Sequence, residues 1–103
     1  MNPRAIPDLS GAILDGADLS GAVLSWVILP DTNLANTILS DADLSYSNMT
    51  RADLTAADLG GANLQDTDLT DANLKVARLE DTNVNEAKAV TQDQLDQAKT
   101  KTK

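Results

Sequence analysis

Leucine recurs at every fifth position along most of the 103-residue chain, and this spacing limits the possible folds more than any other feature. Sixteen consecutive positions keep the step, and fourteen of them are Leu, with Met49 and Val84 at the other two. The residue two positions before these centres is Ala in nine repeats and Thr in four. Asp or Asn directly precedes the centre in eleven repeats. The repeat is therefore Ala-(Asp/Asn)-Leu followed by two more residues.

A step of five fits no continuous element of secondary structure. In a helix, five residues turn about 500°, so successive leucines would spiral over every face. In an unbroken strand, alternate leucines would point to opposite sides of the sheet. The chain must therefore change direction once per repeat, with Ala-Asp-Leu as a very short strand and two residues as a corner. The second corner position is often Gly, Asp or Asn, which tolerate positive φ.

Composition removes several functional classes. The chain contains no His and no Cys, so thiolate and imidazole chemistry, disulfides and His or Cys metal sites are excluded. Sixteen acidic and eight basic residues give a net charge of −8, which opposes binding to nucleic acid or to anionic membranes. Because the predicted interior is filled with leucine, no catalytic cleft is expected, and we predict no enzymatic activity, cofactor or metal.

The repeats from Ala17-Asp18-Leu19-Ser20-Gly21 to Ala72-Asn73-Leu74-Lys75-Val76 closely resemble those of the pentapeptide-repeat proteins, which are abundant in cyanobacteria. The resemblance covers about residues 5–89. It implies an all-β fold, a right-handed quadrilateral parallel β-helix with four pentapeptides per coil and about four coils. The central residue of each repeat and the one two before it would point inward.

This arrangement gives the predicted boundaries and core. Residues 1–4 form an N-terminal tail, 5–89 the β-solenoid, 90–99 a C-terminal capping helix segment and 100–103 a disordered tail. The outward Asp residues are expected to be solvated and inexpensive to replace. The expected core ladder includes Leu19, Leu24, Leu44, Met49, Leu54, Leu64 and Leu74.

A solenoid needs caps at its open ends. At the C-terminal end, Thr91 and Gln94 have the spacing of a capping box, with Thr91 as N-cap. Leu95 stands at the position where it would pack against Val90 and cover the last coil. We therefore expect a helix of about residues 92–99. Ile6 and Pro7 are the candidates for closing the first coil.

One group of apolar residues interrupts the polar exterior. Ile6, Trp26 and Tyr46 are twenty residues apart, so they would stack vertically if four repeats make a coil, with Ile28 around the corner from Trp26. Two interpretations remain open. The column could seal the upper end of the coil, or it could be an interaction surface, since Trp and Tyr often anchor interfaces.

The sequence favours a non-enzymatic structural or protein-interaction module. The expected partner is another protein of unknown identity, with no direct nucleic-acid binding and no membrane, and the chain itself would be a monomer or a weak homodimer. The resemblance adds an alternative, an acidic DNA mimic that binds a type II topoisomerase such as DNA gyrase. The expected location is the cytoplasm, or the periplasm or thylakoid lumen if a leader has been removed.

Overall fold

The computed structural model describes residues 6–100, in which the chain returns beside itself every twenty residues. Twelve parallel bridges join residues twenty positions apart, from the pair Asp8–Ile28 to the pair Asp68–Lys88. Four repeats therefore complete one turn of a coil. Each side pairs through a single residue rather than through a longer strand. Within residues 6–100, the helical segments are the 3₁₀ helix Val84–Glu86 and the α-helix α1, Gln92–Gln97.

Backbone hydrogen bonds join each turn of the coil to the next. The N–H of a central residue donates to the carbonyl nineteen residues further on, as Leu44 does to Asn63 at 2.9 Å. The N–H of the preceding residue points the other way, as Asp43 does in donating to Ala22 at 2.9 Å. Every repeat in the middle of the coil is thus bonded to both neighbouring turns, which satisfies its backbone groups.

The corners require a left-handed backbone. From Gly11 to Asp81, every fifth residue has a positive φ, between 51° and 74°. This residue is the third of a four-residue turn, closed by bonds such as that from the N–H of Ala42 to the carbonyl of Leu39 at 3.0 Å. Positive φ at the third turn position favours Gly, Asn and Asp, which explains the composition of the corners.

Burial of the central residues depends on their position along the coil. The predicted ladder residues with at most 1% exposure are Leu44, Met49, Leu54, Leu64 and Leu74. Leu19 and Leu24 pack against this core but are only partly buried, so the ladder is fully covered only from the second turn onward. Leu9, in the same first turn, is 38% exposed. The physical reason is that the described part of the chain places a neighbouring turn on only one side of these leucines.

The inward Thr and Ser residues keep their hydroxyls paired inside the coil. Thr32 and Thr37 are each 1% exposed, and each donates to the carbonyl three residues earlier, at 2.6 and 2.7 Å. Ser47 makes the same bond to Leu44 at 2.7 Å. Among the described residues, no buried side-chain nitrogen or oxygen lacks a partner. A small hydroxyl residue can therefore replace Ala in the interior without the cost of an unpaired polar group.

The outward Asp and Asn residues hold the corners together, a role that the sequence analysis missed. The Oδ1 atom of Asp43 accepts bonds from the backbone N–H of Ser45 at 3.1 Å and from its hydroxyl at 2.6 Å. The pairs Asp53–Thr55 and Asp68–Thr70 repeat this arrangement. The expectation that these residues are merely solvated is therefore wrong, because each carboxylate satisfies a turn N–H that has no other partner.

The regular coil ends at Asn83. Its Oδ1 atom accepts the N–H of Leu64 at 2.6 Å, where a backbone carbonyl would stand in a continuing turn. The 3₁₀ helix Val84–Glu86 follows, and Val84 is still fully buried as the last central residue. A side chain thus completes the hydrogen bonding where the 3₁₀ helix interrupts the repeat, and backbone pairing with the previous turn resumes at Lys88.

Helix α1 covers the C-terminal end of the coil. Thr91 is its N-cap, and both bonds of the capping box are present, at 3.1 Å from the Gln94 N–H and at 2.7 Å to Gln94 Oε1. The Nε2 group of Gln94 also donates to the carbonyls of Leu69 and Ala72, at 2.7 and 3.0 Å. Leu95 is partly buried against the core. Helix α1 therefore supplies donors as well as apolar cover.

The chain after α1 differs from the prediction. The helix ends at Gln97 rather than at residue 99, because the N–H of Lys99 donates to Ala77 at 2.8 Å. Thr100 forms a parallel bridge with Arg78, so it is not part of a disordered tail. Residues 98 and 99 were predicted to continue the helix, but here the chain forms backbone hydrogen bonds with the open edge of the coil instead. The remainder of the predicted tail, 101–103, and the N-terminal tail, 1–4, lie outside the described residues.

The N-terminal end is not closed by the residues expected to do so. Ile6 is 54% exposed and Pro7 is exposed as well. Pro7 does contribute its carbonyl, which accepts the N–H of Ile28 at 3.0 Å. This bond extends the ladder by one step but leaves the leucines of the first turn accessible.

We predict that Asp43→Ala lowers the free energy of unfolding by about 1 kcal/mol, because a turn N–H and a hydroxyl lose their acceptor. Asp43→Asn keeps an oxygen at the same place and should cost under about 0.5 kcal/mol. Urea denaturation of both variants measures the difference. Equal losses in the two variants would show that the carboxylate charge, not the turn bond, matters at this position.

Gln94 gives a second prediction. Gln94→Glu replaces the donor beside the carbonyls of Leu69 and Ala72 with a carboxylate, so we expect it to lower the melting temperature by several degrees. Gln92→Glu is the matched control, since Gln92 lies on the exposed side of the same helix and donates to Asp96 at 2.9 Å. Thermal unfolding followed by circular dichroism compares the two. A similar loss in both would argue that α1 responds to charge alone.

Candidate interaction surface

Trp26 and Tyr46 form a stacked pair on one corner of the coil. Their ring centroids are 4.6 Å apart, and the ring planes differ by 5°. The stack follows from the register, since residues twenty apart occupy the same corner of successive turns. Both rings face outward, with 59% of Trp26 and 40% of Tyr46 exposed. We call this pair the aromatic stack.

The backbone holds both aromatic residues in a conformation that their side chains disfavour. The φ angles are 66° at Trp26 and 62° at Tyr46, in the left-handed region. This region costs a non-glycine residue roughly 1–2 kcal/mol. The corner is nevertheless fixed by the hydrogen bonds of the neighbouring turns, such as that from the N–H of Trp26 to Ser45 at 3.0 Å. The two rings are therefore carried by a rigid support rather than by a mobile loop.

The other two predicted surface residues belong to the turns that adjoin or carry this stack. Ile6 stands twenty residues before Trp26 in the sequence and is exposed. Ile28 occupies the outward position of the next side, between Asp8 and Asn48, and is half-buried. We use the name corner patch for Ile6, Trp26, Ile28 and Tyr46.

Val23 was not part of the predicted surface, because it lies on a different side of the coil from Ile28. It occupies the outward position of the side that ends at the Trp26 corner, and it is 77% exposed. The signal was present in the sequence, because Val23 stands where most repeats have Asp or Asn. Val23 lies on the side before the Trp26 corner and Ile28 lies on the side after it. Their relation to this one corner follows only once the twenty-residue register is known.

Exposure distinguishes the two interpretations of the column. A seal over the end of the coil would cover its own aromatic rings, yet more than half of Trp26 is open to solvent. The stack also lies on the outer side of the corner, away from the leucine interior. These observations favour an interaction surface, because exposed aromatic residues on a rigid support supply contact area at low entropic cost.

The acidic groups do not form continuous rows on the sides of the coil. Along the four outward columns of the described residues, each carboxylate is followed twenty residues on by a neutral or basic residue, as in the series Asp18, Ile38, Asp58 and Arg78. At one corner, Arg51 bonds to Asp31 at 2.8 Å. This ion pair holds the pKa of Asp31 below its ordinary value. The negative charge is thus spread around the coil.

The turn bonds also affect acidity. The Ser10 hydroxyl, aided by the Ser10 N–H, keeps the pKa of Asp8 below its ordinary value. The hydroxyl and the N–H of Thr70 lower the pKa of Asp68 in the same way. These carboxylates remain ionised at neutral pH, with one oxygen engaged in the turn.

Two open depressions, of about 410 and 460 Å³, lie near Gly60 and beside α1. Within residues 6–100, no cluster of three or more carboxylates is arranged to hold a metal ion. None of the described helices is long and apolar enough to cross a membrane.

Comparison with known proteins agrees with the repeat pattern. The family model for pentapeptide repeats matches residues 8–25, 17–55 and 47–85, in eight copies. No curated protein gives a significant match. Among solved structures, the matching chains include three pentapeptide repeat proteins from cyanobacteria.

HetL from Nostoc sp. strain PCC 7120, a protein involved in heterocyst differentiation regulation, is 34% identical over 78% of this chain and 41% of its own, with a TM-score of 0.46. Rfr23 from Cyanothece 51142 is 32% identical over 98% of this chain and 64% of its own (TM-score 0.40). The protein alr5209 from Nostoc PCC 7120 is 28% identical over 95% and 86% (TM-score 0.38). The chain spans less than two thirds of the first two proteins.

We predict that Trp26 and Tyr46 stabilise each other. In a double-mutant cycle of Trp26→Asn and Tyr46→Asn, the coupling free energy should be about 0.5–1.5 kcal/mol. Asn is chosen because it tolerates positive φ, so each single change removes a ring while relieving backbone strain. Urea denaturation of the four proteins gives the coupling. Additive effects would show that the rings lie side by side without fixing each other.

Proposed function

Because this chain belongs to the pentapeptide-repeat family, we propose that it is a non-enzymatic module that binds another protein through its corner patch. Pentapeptide repeat proteins are known to form right-handed β-helices, and we extend this hand and a four-sided cross-section to the present coil. The twenty-residue register and the positive φ at every fifth residue support four sides with a corner after each.

The observation that carries the proposal is the exposed aromatic stack. Elsewhere the corner positions with positive φ are mostly Gly, Asp or Asn, which suit that backbone. Trp26 and Tyr46 are more costly at these positions, and both stay exposed on the outer side of the corner instead of entering the core. A strained residue whose side chain contributes little to the core points to a function outside the core. Contact with a partner is the function that an exposed Trp–Tyr pair serves best.

We expect a partner to place an apolar region against the two rings. The rim of that region should carry hydrogen-bond acceptors or basic groups. Below Tyr46, Asp66 occupies the next position of the same corner, and its N–H donates to the carbonyl of Glu86 in the 3₁₀ helix at 2.9 Å. A basic group on the partner would meet these carboxylates while an apolar side chain covers the rings. We therefore propose a protein with an apolar patch flanked by Lys or Arg.

The DNA-mimic alternative has less support. A mimic of duplex DNA needs rows of negative charge at short, regular intervals. In the outward columns of the described residues, carboxylates alternate with Ile, Asn, Arg or Lys instead. The spread of charge is better explained by the turn bonds of Asp and Asn and by solubility of the coil.

The test compares three variants in affinity capture from the source cells. Trp26→Asn and Tyr46→Asn remove the rings but retain a residue suited to positive φ, so both should remain folded. Val76→Asn is the matched control, because Val76 is also exposed (44%) and also has positive φ (51°), on a different corner. We expect one protein captured by the unmodified chain and by Val76→Asn to be lost or strongly reduced with the other two variants.

Two results would contradict the proposal. Capture of the same protein by all four baits would place the binding surface elsewhere. Loss of binding by Val76→Asn as well would mean that the corner patch has no specific role. Melting temperatures of the three variants ensure that any lost binding is not the result of unfolding.

A further inference from the structure

The first turn of the coil leaves its end face open. In the described chain, Leu9 is 38% exposed and Leu14, Leu19 and Leu24 are only partly buried, whereas Leu29, one turn later, is 1% exposed. Exposed apolar side chains also gather here, with Ile13 at 78% and Val23 at 77%. The opposite end is covered by α1. The two ends of the molecule are therefore not equivalent.

Backbone groups on this end face point outward without partners. One turn further in, Asp43 donates its N–H to Ala22 at 2.9 Å, and its carbonyl accepts the N–H of Leu24 at 2.7 Å. Both groups of such an outward residue thus point toward the preceding turn. The first turn has no preceding turn among the described residues. The backbone N–H and C=O groups of its outward residues Ile13, Asp18 and Val23 therefore form no hydrogen bond.

We propose that a second copy of this chain stacks on the end face, first turn against first turn, as a twofold-symmetric dimer. A residue that presents its N–H and C=O in the same direction is suited to an antiparallel pair, in which both residues exchange both bonds. An extended peptide could pair with one short side of the coil. Another coil of the same dimensions can meet all four sides at once. This surface adjoins the corner patch, since the side of Val23 ends at the Trp26 corner, but it rests on different observations and does not depend on the proposed function.

The pitch of the coil selects one register for this dimer. The first turn is a ramp that descends by about 4.8 Å, one strand spacing, over its four sides. Two ramps placed face to face keep an even gap only if the highest side of each lies over the lowest side of the other. The side of Asp8 must then face that of Val23, and the side of Ile13 must face that of Asp18.

This register also separates the charges. The first turn carries Asp8 and Asp18 on its sides, and pairing either with its own copy would bring two carboxylates together. In the proposed register, each carboxylate lies opposite an apolar residue, Val23 or Ile13. The arrangement that fits the ramp is therefore also one that avoids direct contact between like charges.

The size of the end face indicates a weak dimer. The two shorter dimensions of the molecule are 25 and 23 Å, so stacking two copies would bury at most about 1,100 Å² in total, just below the usual range for stable interfaces. Each copy also carries a net charge of −8. Association should therefore strengthen as the salt concentration rises and the repulsion is screened.

Charge substitutions at Ile13 test the register. Because Ile13 lies opposite Asp18 twice in the dimer, Ile13→Lys should lower the dissociation constant by about fivefold, and Ile13→Asp should raise it by at least as much. The high exposure of Ile13 means that neither change should affect folding. Sedimentation equilibrium of the full chain, from about 10 μM to 1 mM, covers the affinity expected for an interface of this size.

Ile38→Lys and Ile38→Asp are the matched controls. Ile38 is also outward-facing and 41% exposed, but it lies in the second turn, below Asp18. These changes should shift the dissociation constant much less than the changes at Ile13. A chain that remains monomeric throughout the concentration range overturns the proposal. A dimer whose affinity responds equally at Ile13 and Ile38, or in the same direction to Lys and Asp, overturns the register and with it the stacked arrangement.

Discussion

The contact between one turn of the coil and the next is the interaction on which the whole structure depends. A single turn of twenty residues has no interior of its own, since its leucines are buried only by the turns above and below. Leu44, between two turns, is fully buried, whereas Leu9 at the end is 38% exposed. The same contact satisfies the backbone, because each interior side donates to both neighbours. Burial and hydrogen bonding are therefore gained together and are lost together at an uncovered end.

The corner geometry adds a second constraint with a functional consequence. Every fifth residue must have positive φ, so a bulky residue at that position is held rigidly and pointed outward. Gly21 meets this requirement at little cost, and Trp26, one corner later, meets it with strain. The coil thus provides fixed positions on its outer edges, where residues twenty apart align. The aromatic stack uses two of these positions, which is why its geometry follows from the register alone.

Much of this fold could be predicted from the sequence, because the step of five fixes which residues turn inward and where the chain bends. The capping box of Thr91 and Gln94 has a recognisable local spacing, but the bonds from Gln94 to Leu69 and Ala72 join residues more than twenty positions apart. The pairing of Thr100 with Arg78 is equally distant and shortens α1. The turn bond of Asp43 is local, yet Asp on a surface ordinarily suggests solvation. Local sequence patterns therefore predicted the repeats. The structure of the C-terminal end depends on contacts between residues distant in the sequence, which such patterns do not reveal.

The difference between the two ends bears on function more than the repetitive middle does. The C-terminal end is covered, because Gln94 occupies the Ala72 carbonyl, which would otherwise accept an N–H from a further turn, as Ala52 does from Asn73. At the other end, the free groups of Ile13, Asp18 and Val23 extend the same hydrogen-bonding pattern into solvent. Of the eight large apolar residues that are exposed in the described chain, five lie between Ile6 and Trp26. The apolar and unpaired groups are thus concentrated at one end, while acidic residues along the sides accept hydrogen bonds within the turns.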